Sequence, residues 1–132
     1  MLSIRSTSSN RELRIYRGQG GYFTVEILGY RVTALTEVWI DDDARFLGRF
    51  FVELGAAVDP WEGAKAWQSL EDDLKFSVTC TPLGSVTFDI FLSDMPGAPE
   101  EWSVNVGLET ELGQLARIGR EAFELVNARD TN

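Results

Sequence analysis

The strongest constraint on the fold is a series of three segments in which apolar and polar residues alternate. The segments cover residues 74–80, 86–92 and 102–108, and in each of them every second side chain is apolar. A period of two residues is the pattern of a strand with one buried face. Because residues 82–84 (Pro-Leu-Gly) form a turn signal between the first two segments, the pattern predicts a hairpin that continues into an antiparallel meander.

Further strand signals lie in the first third of the chain. Residues 22–28 alternate in the same way, and residues 13–16 and 31–40 are strand-like, the latter rich in β-branched side chains. The glycines at 18–21 predict a turn rather than a phosphate loop, because no helix pattern follows them. We therefore expect about six strands. The amino-acid sequence shows no internal repeat.

Two amphipathic segments predict helices. Residues 46–54 carry apolar side chains at helical spacing, and the aspartates at 41–43 suit the N-terminus of that helix. A second helix is predicted to begin at Thr110 as N-cap and to run to Val126, with Phe123 and Gly119 on its buried face. We expect Gly119 to allow close packing on the sheet. Residues 60–70 predict a loop or a short turn of helix.

Together these elements predict the α+β class. We expect a single domain over residues 1–132, in which a curved antiparallel sheet of about six strands packs against two helices, the second of them C-terminal. A chain of this length is enough for one core without a metal or a disulfide. The ends, residues 1–10 and 127–132, are expected to be flexible.

The single cysteine and the N-terminus bear on the compartment. Cys80 has no partner for an internal disulfide, which favours a reducing environment, and its place beside Phe76 and Val78 predicts a buried, inert thiol. Residues 1–10 are polar and do not form a signal peptide, and no run approaches the ~20 apolar residues of a membrane span. The expected location is the cytoplasm.

The net charge of −9 limits the class of partner. Residues 1–40 hold five arginines and three glutamates, a net charge of +2, so the remainder carries −11. Such a surface repels nucleic acids and anionic membranes and accelerates encounter with basic proteins. The simpler interpretation is that the charge serves solubility alone.

The residue types argue against catalysis. The chain has no histidine, which removes the commonest general base and metal ligand. The carboxylate runs at 41–43, 71–73 and 100–101 do not match the spacing of a calcium loop, and turn or cap positions explain them. We therefore predict no catalytic residue, no cofactor and no metal.

Three tryptophans allow two interpretations. Trp61 and Trp67 flank a five-residue segment, and Trp39 ends a predicted strand beside the aspartates at 41–43. These large side chains could fill the seam between the first helix and the meander, since aromatic residues dominate core packing. Alternatively they form an exposed platform beside acidic residues, which suits protein recognition.

The order of these features resembles a known bacterial family. Trp61-x-Gly63-x-Lys65-x-Trp67, an acidic break, a turn at Gly84, a later tryptophan at 102 and a closing helix resemble the domain of unknown function 6228 over roughly residues 12–126. That family has no established activity. A more distant resemblance, to the WapI-type immunity proteins, implies an inhibitor that covers the active site of a toxin.

The sequence thus predicts a non-enzymatic acidic binding protein, most specifically an immunity-type inhibitor of a basic toxin domain. A small-ligand-binding or carboxylate-dependent enzyme domain remains an alternative, as does a structural or homodimer module. Neither a nucleic acid nor a membrane is an expected partner, and a homo-oligomer remains open. The expected contact residues are Asp41, Asp42, Trp61, Trp67, Glu71, Asp72 and Asp73.

Overall fold

A computed structural model describes residues 1–40 and 44–128, so Asp41 and Asp42, two of the expected contact residues, lie outside the described part. Four strands and a helix come first: β1 (Leu2–Arg5), β2 (Glu12–Arg17), β3 (Tyr22–Leu28), β4 (Ala34–Trp39) and α1 (Ala44–Gly55). The same order follows again: β5 (Lys65–Gln68), β6 (Leu74–Cys80), β7 (Ser85–Asp94), β8 (Trp102–Glu111) and α2 (Leu115–Asn127). The element order therefore repeats although the amino-acid sequence does not.

The strands form two four-stranded antiparallel sheets, here called sheet A (β1 to β4) and sheet B (β5 to β8). The predicted meander is confirmed, since β6, β7 and β8 are neighbours in that order. The prediction of about six strands in one curved sheet does not hold in detail, whereas the α+β class with two helices does. The sheets approach each other at β1 and β8, where the amide of Thr7 donates to the carbonyl of Glu109 at 2.9 Å.

The two strands missing from the prediction are both short and lie at sheet edges. β1 falls within residues 1–10, where Leu2 and Ile4 are fully buried and anchor the strand. β5 occupies part of the segment predicted as a loop or a turn of helix. With four residues each, neither strand has enough alternation to stand out from its polar surroundings.

Each helix contacts the sheet of the opposite half. From α1, the ring of Phe51 lies 5.5 Å from that of Phe76 and 6.4 Å from that of Phe88, both in sheet B. From α2, the Glu121 carboxylate accepts from the amide of Ser3 in β1 at 2.9 Å, and Arg117 donates to the carbonyl of Ser3 at 3.2 Å. These last contacts satisfy backbone groups on the open edge of β1, which protects that edge from pairing with another chain.

The helices meet at glycines. A methyl group placed on Gly119 would lie 2.8 Å from the carbonyl oxygen of Phe51 and 3.2 Å from Cα of Gly55. The prediction that Gly119 permits close packing is therefore right, but the surface it packs against is α1 and not the sheet. α1 and α2 consequently form one layer with a close crossing.

Three further expectations need correction. Thr110 is not a helix cap: it lies in β8, a 3-10 turn at Leu112–Gln114 follows, and α2 begins at Leu115. Phe123 is 56% exposed instead of buried. Cys80 is half-buried, with its thiol 3.4 Å from the carbonyl of Thr81. No helix among the described residues is long and apolar enough to cross a membrane.

Candidate functional site

Two acidic loops meet at one end of sheet B. The β5–β6 turn precedes β6, and the β7–β8 loop joins the end of β7 to the start of β8; the amide of Ser93 donates to the carbonyl of Asp73 at 2.9 Å and ties the two together. Asp94 pairs in register with Trp102 at the mouth of the second loop. We call the resulting surface the acidic end, and its carboxylates are Glu71, Asp72, Asp73, Asp94, Glu100 and Glu101.

Side-chain hydrogen bonds hold the β5–β6 turn in place. The hydroxyl of Ser69 donates to Asp73 at 2.6 Å and accepts from the amide of Leu74 at 3.0 Å. The amide of Gln68 donates to Asp72 at 2.8 Å. Asp72 adopts a φ of 60°, a conformation that aspartate tolerates better than most residues. The acidic side chains of the turn therefore project from a defined backbone.

Ion pairs do not neutralise this surface within the part of the chain that the structure describes. Among the described residues, no lysine or arginine forms an ion pair with any of the six carboxylates, since the three ion pairs join Arg5, Arg14 and Arg117 to glutamates elsewhere. The described residues also bring no three potential ligand side chains close enough to hold a metal ion. The carboxylates are spread over the surface, an arrangement suited to attracting a positively charged surface.

Apolar side chains flank the acidic end. Leu70 is 65% exposed and Met95 is 52% exposed, one in each loop, and Trp102 is half-buried at the start of β8. Protein interfaces combine such apolar anchors with a polar rim, and Met and Trp are enriched in them. The acidic end therefore offers both attraction and contact area.

Trp61 and Trp67, which are expected contact residues, lie against the core and are partly exposed. Trp67 stacks on Phe76 with ring centroids 5.7 Å apart. Trp61 donates from its indole nitrogen to the carbonyl of Val78 at 3.3 Å, and the Lys65 ammonium lies 5.3 Å from the centre of its ring. Both side chains are half-buried against the core.

A second exposed surface lies on the outer face of sheet A. Register places Tyr22 opposite Trp39, with rings edge-to-face at 5.2 Å, and exposed Leu35 lies on the same face. Tyr16 is the fourth member of the group. Its hydroxyl donates a hydrogen bond to the Glu26 carboxylate, and this hydrogen bond raises the pKa of the Tyr16 phenol. We call these four side chains the aromatic face. The outer face of sheet B carries one aromatic side chain, Phe91 beside Lys75, among small polar residues that include Ser77, Thr79, Thr87, Asp89 and Asn105.

Beside the aromatic face, Glu12 is held by basic and hydroxyl groups. Arg14 donates to its carboxylate at 3.0 Å and Ser3 at 2.6 Å, and the hydrogen bond from Arg14 is the main reason that the pKa of Glu12 is lowered. Because the pKa of Glu12 is lower in the folded chain than in the unfolded chain, its ionised carboxylate stabilises the fold at pH values above the unfolded pKa of about 4.3. This contribution is lost as the pH falls through the pKa of Glu12 in the folded protein.

We therefore expect Glu12→Gln to lower the free energy of unfolding at pH 7 by less than about 1 kcal/mol, because solvent reaches the partly exposed Arg14 guanidinium and screens its attraction to Glu12. The difference from wild type should shrink towards zero below about pH 4. Urea unfolding of both proteins across this range measures it. A difference that grows on acidification would contradict the role of the ionised carboxylate.

A cavity of about 530 Å³ lies where the two halves meet, lined by residues that include Thr7, Glu109 and Glu111. The Glu109 carboxylate accepts hydrogen bonds from the hydroxyls of Ser8 and Ser85, and these hydrogen bonds lower its pKa. A general acid needs a raised pKa, so this glutamate is tuned in the opposite direction. The cavity therefore gives little support to acid catalysis at this carboxylate.

Comparison with known proteins identifies a family. The model of the family of unknown function DUF6228 matches residues 7–129. The chain belongs to this family. No curated protein matches it. The match extends a few residues beyond each end of the region in which the sequence resembles DUF6228.

The residues that carry the resemblance to DUF6228 have structural roles here. In Trp61-x-Gly63-x-Lys65-x-Trp67, the outer members pack against sheet B, and Gly63 adopts a φ of 75° that suits glycine. This part of the motif accordingly shapes β5 and the segment before it. It does not by itself mark a binding site.

Three of the six carboxylates of the acidic end are among the contact residues that the sequence predicts. Glu71, Asp72 and Asp73 were expected contacts, whereas Asp94, Glu100 and Glu101 were not included, although Glu100 and Glu101 were noted as an acidic run. The signal that could have found them was the meander itself. In an antiparallel β6–β7–β8 arrangement, the segment before β6 and the loop between β7 and β8 must lie at the same end.

Proposed function

We propose that the protein is a non-enzymatic binding protein that captures a basic protein partner through the acidic end of sheet B. The observation that carries the proposal is the convergence of two loops whose six carboxylates form no ion pair with a described lysine or arginine, beside the exposed side chains of Leu70 and Met95.

Charge and geometry both support capture. A net charge of −9 attracts a basic surface over roughly 10 Å at ordinary salt, and the location of six carboxylates at one end of sheet B orients the approach. Because hydrogen bonds already order the β5–β6 turn, its immobilisation on binding costs little further conformational entropy. The aromatic face supplies a second surface with the Tyr and Trp side chains that recur among binding hot spots.

The more specific form of the proposal is an immunity-type inhibitor, which would neutralise a toxin by covering its active site. The acidic surface supports it, because electrostatic complementarity increases the rate of capture of a basic enzyme. The resemblance to WapI-type immunity proteins supports it at a distance. In this form the protein needs no catalytic group of its own.

The test reverses charge at the acidic end and compares it with an equal change elsewhere. The first variant is Glu71→Lys/Glu100→Lys/Glu101→Lys, and the control is Asp59→Lys/Glu62→Lys/Glu111→Lys; each takes the net charge from −9 to −3, and all six positions are exposed. Wild type and both variants are used to capture proteins from a lysate of the encoding organism. A basic protein should be retained by wild type and control and lost by the first variant.

With that protein purified, we expect the first variant to reduce the association rate constant by about tenfold or more, with the larger effect at low salt. An equal reduction of the association rate constant in both triple variants would mean that the overall charge alone determines capture. That result would refute the acidic end as the binding site. For the inhibitor form, expression of the captured protein alone should arrest growth, and co-expression of wild type should restore it. A harmless captured protein would refute inhibition while leaving binding intact.

A further inference from the structure

The helix layer carries an apolar groove on the side that faces away from the sheets. It has a volume of about 400 Å³ and runs along the α1–α2 crossing. Small residues form much of it, because the two helices approach closely at Gly55 and Gly119. Its lining includes Val52, Gly55, Ala56, Ala116, Gly119 and Phe123.

A large apolar side chain stands at the edge of this groove. Phe123 is 56% exposed, and Val52 across the groove is also exposed. The patch therefore contains both a projecting ring and an apolar recess. A two-fold interface between identical subunits uses the same patch twice, so it requires a projection and a recess on one surface.

The distribution of charge favours a second copy as the occupant. α1 and α2 together contain four arginines and three glutamates, so their net charge is +1 and the rest of the chain carries −10. Arg120 lines the groove, and Arg49, Glu53 and Glu124 are exposed elsewhere on the same two helices. Two chains that repel each other elsewhere can therefore approach at the helix layer, where a two-fold axis can bring unlike charges together.

The available area predicts a weak complex. Helices of 12 and 13 residues are about 18–20 Å long, and two of them side by side present a face about 20 Å wide. Such a face offers on the order of 400 Å² per chain, or about 800 Å² in total, which is below the usual range for stable complexes. The expected dissociation constant is therefore micromolar.

We propose that two copies of this chain associate through the α1–α2 groove, with Phe123 of each copy seated in the groove of the other. The outer faces of both sheets remain exposed in this dimer. Each dimer then presents two copies of the aromatic face, so that a multivalent partner could be bound more tightly than by either copy alone.

Sedimentation equilibrium of the full chain from about 5 µM to about 500 µM tests the proposal. Wild type should pass from monomer to dimer within this range, and Phe123→Asp and Val52→Asp should each raise the dissociation constant at least tenfold. Because both side chains are partly exposed, both variants should still unfold in one cooperative transition with a urea midpoint close to that of wild type, which confirms that they fold.

The matched control is Leu83→Asp, which makes a similar change at a 98% exposed leucine in the β6–β7 turn. It should dimerise as wild type does. Dimerisation should also strengthen as salt increases, because salt screens repulsion between the acidic chains. A wild-type protein that stays monomeric at every concentration would overturn the proposal, and so would an equal loss of dimer in Leu83→Asp.

Discussion

Phe51→Ala should lower the free energy of unfolding by about 3–5 kcal/mol, the usual cost of deleting a fully buried phenylalanine. The ring of Phe51 contacts those of Phe76 and Phe88, so its loss leaves a cavity between α1 and sheet B. Domains of this size are stable by about 5–15 kcal/mol, and the variant should therefore retain only part of its stability.

Urea unfolding followed by circular dichroism and by tryptophan fluorescence measures this effect. Trp67 and Trp102 lie in sheet B and Trp39 lies in sheet A, so fluorescence reports on side-chain packing in both sheets, while circular dichroism reports on secondary structure. If both sheets and their helices unfold in a single transition, the urea midpoints from the two probes should coincide. Phe46→Ala on the same helix is the control, because Phe46 is exposed and should cost less than about 1 kcal/mol. Equal losses in the two variants would show that Phe51 is not an anchor of α1.

Gly119→Ala is expected to destabilise the protein by about 2 kcal/mol, although alanine is the better helix former by about 1 kcal/mol. The added methyl group would lie 2.8 Å from the carbonyl oxygen of Phe51 and 3.2 Å from Cα of Gly55. These are backbone atoms, which cannot rotate away as a side chain could. The helices must therefore separate, and the packing on both sides of the crossing is weakened.

Gly113→Ala makes the same chemical change where space is open, since no atom lies within 4 Å of the new methyl group. It should leave the urea midpoint unchanged or raise it slightly by restricting the unfolded chain. If Gly119→Ala proved as stable as Gly113→Ala, the close approach of α1 and α2 would be refuted.

The sequence predicted those parts of the fold whose signal is long and local. The meander of β6, β7 and β8 appears because each strand contains a seven-residue segment in which every second side chain is apolar. α1 appears because its apolar stripe is continuous. The sequence did not predict β5, because only four residues pair there and Trp67 is equally compatible with a loop or a helix.

Tertiary contacts decided the rest. Thr110 has the residue type of a helix cap, yet pairing with Val86 keeps it in β8, which runs one residue further than Thr110. Phe123 fits the apolar spacing of α2 but lies at the edge of the α1–α2 crossing, where nothing in the described chain covers it fully. Of the acidic end, residue type identified single carboxylates, whereas their convergence depends on strand order.

Because α1 packs against sheet B and α2 contacts β1 of sheet A, the order in which the elements are synthesised affects folding. Sheet A is complete once β4 has left the ribosome, but the α2 groups that bond to the edge of β1 are among the last described residues to be made. Until they emerge, the nascent first half exposes an open strand edge and part of its apolar face. The edge of β1 therefore gains its bonds to Arg117 and Glu121 only after α2 has been made, and until then it can pair with another chain.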